Sequence, residues 1–97
     1  MEIREVIIFP EVEQKLIRKH HVFGDEVEEV FEQNPHIRVV QKGRVKGQNV
    51  CVALGRTQAG RYLSVFFINK SKGVALVISA REMDAKERKL YGKIGKK

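Results

Sequence analysis

Three arginines fall where apolar runs begin or end. Arg56 ends one run, Arg61 opens the next and Arg81 closes the last. A planar guanidinium can donate two parallel hydrogen bonds to one phosphate, so arginines gathered in one place suit a phosphodiester. Arg81 leads the group, because it closes a strand where sheet meets helix and a cleft can form. Each of the three also has a plain reading as a solvated charge or a salt-bridge partner. Lys19-His20 supplies a cation and an imidazole that titrates near neutral pH. His20 also falls on an apolar stripe, however, the place of a hydrogen-bonded structural histidine. In Glu87-Arg88 with Tyr91, Glu87 reads as a helix cap and Arg88 as a partner for Asp84 one turn earlier. His21 and His36 read as surface residues, and Cys51 as a small strand residue with no catalytic partner nearby in sequence.

Charge narrows the range of partners. Residues 1–33 carry nine acids and four bases, net −5, whereas residues 34–97 carry fifteen bases and three acids, net +12. So concentrated a basic segment favours a polyanion, since each phosphate neutralised releases counterions. A total of +7 also suits plain solubility, so charge alone does not choose. The 97 residues fit one domain spanning 1–97, with 42% hydrophobic residues to fill a small core. Apolar runs such as Val74–Ile78 are far too short to span a membrane. The opening MEIREVIIFP lacks the features of a secretory signal. One cysteine permits no internal disulfide. A cytoplasmic protein without membrane attachment is expected.

The elements that must position these residues follow from periodicity. Val6–Phe9 is either a short strand or an apolar lead-in. Val12, Leu16 and His20 recur at helical spacing, and Gly24 is expected to break the chain. Asp25 with Glu28 reads as a capping pattern ahead of Val27, Val30 and Phe31, and Pro35 stops this second helix. Strands are expected around Ile37–Val39, Val50–Leu54, Arg61–Ile68 and Val74–Ala80, the turns being short enough for antiparallel neighbours. Of Phe66 and Phe67, one must face away from the other. Gln41–Gly47 reads as a basic loop and Lys93–Lys97 as a basic tail. Asp84 caps a last helix bearing Met83, Glu87, Leu90 and Tyr91 near one stripe. The expected class is α+β: two N-terminal helices, a four-stranded antiparallel sheet and a C-terminal helix.

Several stretches resemble, in order, the BrnT-like toxin family. They are Lys19-His20, Glu26–Phe31, Ala53–Thr57, Ala59–Leu63, Val65–Ile68, Ile78–Arg81, and Glu87-Arg88 with Tyr91. The resemblance covers the chain from about Lys15 to Gly92. It implies a RelE-like fold, a ribonuclease activity that arrests growth, and neutralisation by a ribbon-helix-helix antitoxin. Operator DNA is then reached only through the antitoxin. The chain departs from better-known members at Ile8-Phe9, Leu16, His21 and Leu76, which marks a divergent subgroup.

Cutting RNA without a metal requires a base for the 2′-hydroxyl, an acid for the leaving 5′-oxygen, and cations for the charge that builds on phosphorus. With the resemblance in place, His20, Arg81 and Tyr91 are the candidate catalytic residues. Lys19, Arg56, Arg61 and Arg88 are the candidates for RNA binding. No cofactor or metal is expected. The alternative is a non-catalytic domain on the same fold, a decayed toxin that binds nucleic acid or protein.

Overall fold

The computed structural model describes residues 2–43 and 48–94. Most of the expected basic loop and the end of the basic tail lie outside the described residues. The elements run β1 (Glu5–Ile7), α1 (Pro10–His20), α2 (Gly24–Glu32), β2 (His36–Gln41), β3 (Val50–Arg56), β4 (Tyr62–Lys70), β5 (Val74–Glu82) and α3 (Ala85–Ile94). The strands form one sheet in the order β1-β5-β4-β3-β2.

The sheet corrects the expected architecture. It has five strands and is mixed, because β1 pairs in parallel with β5 through Glu5↔Val74 to Ile7↔Leu76. Three residues are too few to display a two-residue alternation, and their partner lies nearly seventy residues away in sequence. The other neighbours are antiparallel, as their short turns dictate.

Alternation assigns the two faces. Cys51, Ala53, Leu63, Val65, Phe67, Ala75, Val77 and Ala80 point to α1 and α2, closing a core with Leu16, Val22, Val27 and Val30. Phe31 meets Phe67 edge to face at 5.3 Å. Gly55 lets α2 approach closely, since a Cβ there would stand 2.9 Å from Val30 Cγ1. Val52, Leu54 and Phe66 point to the second face, where α3 lies across them through Glu87 and Leu90. Between Phe66↔Ser79 and Phe67↔Val77 the register shifts, leaving Ile78 as an unpaired bulge residue. The helices therefore sit on both sides of the sheet.

Two helix signals move. The residue that ends α1 is His21, in the left-handed region at φ 54°, and not Gly24. Gly24 instead begins α2, buried where a Cβ would run into the Glu13 carboxylate. Capping of α2 accordingly belongs to Glu26, whose carboxylate accepts from the Phe23 N–H at 3.1 Å, and the expected Asp25 pattern is replaced. The Asp84 cap stands where the spacing puts it. Asp84 Oδ1 accepts from the Glu87 N–H at 2.8 Å, and Glu87 Oε1 accepts from the Asp84 N–H at 2.9 Å. Among the described residues, no helix is long and apolar enough to cross a membrane.

Candidate active site

A short turn brings the end of β3 against the start of β4. The Thr57 N–H donates to Arg61 O, and the Arg61 N–H donates back to Thr57 Oγ1. Gly60 supplies the positive φ of 96° that the turn requires. Arg56 and Tyr62 then pair directly across the ladder, so their side chains share the second face.

α3 adds two more groups at this spot. Arg88 Cζ lies 3.8 Å from the Tyr62 ring centroid, and Arg56 Cζ lies 4.9 Å from the same centroid. Tyr91 meets Tyr62 edge to face at 5.9 Å. Such contacts hold a guanidinium through the ring quadrupole while leaving its N–H donors free. Among the described residues, neither Arg56 nor Arg88 makes an ion pair. The expected Arg88–Asp84 pair is replaced by the contact with Tyr62. His36 opens β2, pairs with Leu54 two residues before Arg56, and so lies on the same face. It lines, with Arg56, Tyr62, Tyr91 and Asn34, a cleft of about 550 Å³. That volume is ample for a nucleotide.

The remaining candidates lie elsewhere. Arg61 has the parity of Leu63 and points to the α1/α2 side. There its Nη1 donates to both Glu26 carboxylate oxygens at 2.7 and 2.9 Å and to His21 O, while Nη2 donates to Glu82 Oε2 at 3.0 Å. Burial alone would lower the Arg61 pKa, but the bonds and charges of Glu26 and Glu82 outweigh it and raise the value, so the group stays a cation. Its cation is thus spent on closing α2 against the sheet. Arg81 is on the second face but is engaged too. Its Nη1 and Nη2 donate to Glu87 Oε1 and Oε2 at 2.7 and 3.0 Å, and its Cζ stands 5.2 Å over Phe66. Lys19 is exposed and His20 half-buried at the end of α1. Among the described residues, no hydrogen bond or ion pair joins either of them to Arg56, Arg81, Arg88 or Tyr91.

The sequence grouped Arg56 with Arg61 and Arg81, whereas the structure groups it with Arg88 and Tyr91, two other candidates, and with His36 and Tyr62, which the sequence did not single out. The signal for Tyr62 was the turn: if Arg56 pairs with Tyr62, Arg61 must face away, and a one-residue step in register decides between the two. No sequence signal singles out His36, which depends on β2 finding its place beside β3. Cys51 is fully buried, and burial pushes its thiol pKa up, which keeps it unreactive.

A cleft lined by a histidine, two tyrosines and an unneutralised arginine, with a second unneutralised arginine stacked on one of those tyrosines, is suited to a phosphodiester. The family model described as the ribonuclease toxin BrnT of type II toxin-antitoxin systems matches residues 10–87. The chain belongs to this BrnT toxin family. Among curated proteins none matches its sequence. The matched segment includes β3, β4, β5 and the first turn of α3, and so most of the cleft. BrnT membership makes the chain a type II toxin of ribonuclease type, with an RNA substrate and an antitoxin partner. The departures at Leu16 and His21 have structural roles in this BrnT chain. Leu16 is a fully buried core residue, and His21 supplies the left-handed residue that ends α1.

Proposed function

We propose that this BrnT chain is a metal-independent endoribonuclease that cuts RNA by attack of the 2′-hydroxyl on the adjacent phosphorus, in the cleft between α3 and the strand ends at the β3–β4 turn. The observation that carries this reading is the pair of unneutralised guanidiniums, Arg56 and Arg88, held at one tyrosine ring. They bind the scissile phosphate and stabilise the charge that develops on it. His36 accepts the 2′-hydroxyl proton, the 2′-oxygen bonds to phosphorus, and the 5′-oxygen leaves with a proton from the Tyr91 hydroxyl. The products are a 2′,3′-cyclic phosphate and a free 5′-hydroxyl. In this scheme Arg61 and Arg81 serve the scaffold, and Lys19 and His20 take no step. The toxin acts in the cytoplasm, is neutralised by a ribbon-helix-helix antitoxin, and meets operator DNA only through it.

The test is product chemistry. Purified chain incubated with RNA in excess chelator should leave 2′,3′-cyclic phosphate ends and should spare an oligonucleotide carrying 2′-deoxyribose at the cut site. Loss of cutting in chelator, or 3′-hydroxyl ends, would rule the scheme out. Tight, salt-sensitive binding with no cutting would favour the decayed-toxin alternative.

A further inference from the structure

A hydrogen-bonded polar cluster on the second face lies beside the cleft and takes no step in the proposed reaction. Ser64 is completely buried, so its hydroxyl must find a partner inside the protein, and it donates to Glu87 Oε1 at 2.9 Å. The same carboxylate takes both Arg81 nitrogens and the Asp84 N–H. Arg81 Nη1 also donates to Glu82 O at 3.1 Å, and Asp84 Oδ2 stands 3.9 Å from Nη2. Both Nη groups of Arg81 are therefore committed to the protein, and a phosphate would have to displace Glu87 to reach them.

α3 has need of such an anchor. It is ten residues long and has no buried residue, so helical propensity alone leaves it marginal. Arg88 follows Glu87 directly, and Tyr91 stands one turn beyond it on the same stripe. Any rotation of α3 at Glu87 moves both groups across the cleft.

We propose that Arg81, Glu87 and Ser64 form a latch that positions α3, setting Arg88 and Tyr91 against Tyr62 for cleavage, and that Arg81 does not touch the RNA. The proposal rests on the ribonuclease reading of the cleft. A misplacement of about 1 Å in a reacting group can cost on the order of 10²-fold in rate, which is the scale of the effect to be measured.

Two variants separate positioning from contact. Arg81→Met alone leaves the Glu87 carboxylate half-buried and unpaired. Adding Glu87→Gln removes that stranded charge and keeps an amide oxygen for Ser64 and the Asp84 N–H. Single-turnover cleavage of a short RNA and the proton contact between the Tyr62 and Tyr91 rings by NMR are measured on both. The single variant should lose about 10²-fold in rate together with the ring contact, and the double variant should recover about 10-fold or more and regain the contact. A double variant with the ring contact intact but no recovery would show that Arg81 contacts the RNA, and a fully active single variant would equally overturn the latch. If the wild-type chain cuts no RNA, the ribonuclease reading fails on its own. The ring contact then decides the latch: lost in the single and kept in the double supports it, unchanged in both overturns it.

Discussion

Four arginines of one chemical type meet different fates because of what stands beside them. Arg61 and Arg81 are paired with carboxylates at 2.7 Å, while Arg56 and Arg88 have an aromatic ring instead. Only the second pair can release counterions from a bound strand. Arg56→Ala and Arg88→Ala should each flatten the dependence of log affinity on log salt by about 0.7, the single-strand value per phosphate contact. Arg61→Ala should leave that slope unchanged. Titration of a labelled RNA at several salt concentrations measures all three. The residue types were legible from sequence, and so was the placement of Arg56, Arg61 and Arg81 at strand ends and of Arg88 on the last helix. What sequence could not supply was neutralisation, because Glu26, Glu82 and Glu87 reach these arginines through folding: Glu26 is 35 residues from Arg61 and on another element.

At the scale of elements, α3 depends on a carboxylate that must remain ionised. Burial works to raise the Glu87 pKa, but hydrogen bonds from Arg81, the Asp84 N–H and Ser64, with the Arg81 charge, outweigh it and hold the value below the ordinary 4.5. A depressed pKa means that the stabilisation is fully present above 4.5 and is lost as pH falls below that figure through the folded value. Acidification below 4.5 should therefore loosen α3 in the wild type, read as loss of the Tyr62–Tyr91 ring contact. In Glu87→Gln the contact should not change over the same range; an equal acid loss there would assign the effect to another group. The cap at Asp84 and the stripe of α3 were readable from spacing. The short parallel strand β1 was not, because nothing local specifies a partner at Val74–Leu76. His21 likewise carried no sign of the left-handed turn that a glycine would have advertised.

Across the whole molecule, charged side chains are distributed unequally over the two faces of the sheet. The acidic residues of α2, Asp25, Glu28, Glu29 and Glu32, line a shallow site on the α1/α2 side with Gln58. Arg38 and Lys86 flank the apolar groove beneath α3, and Arg56 lines the cleft on the same sheet face. Among the described residues, the acidic stretch of α2 thus lies on one side of the sheet, and Arg38, Arg56, Lys86 and Arg88 lie on the other. A polyanion approaching this field is steered to the second face, where the cleft opens. The central claim is that the Arg56–Tyr62–Arg88 cluster on that face is where RNA is cut. Its most direct measurement is the single-turnover cleavage rate of Arg88→Ala beside that of Arg61→Ala, with folding of both checked by thermal melting. Arg88→Ala should lose about 10²–10³-fold, the scale for removing one donor to developing charge, with Arg61→Ala losing stability and not cleavage. Equal rates for Arg88→Ala and wild type, or a loss confined to Arg61→Ala, would contradict the account.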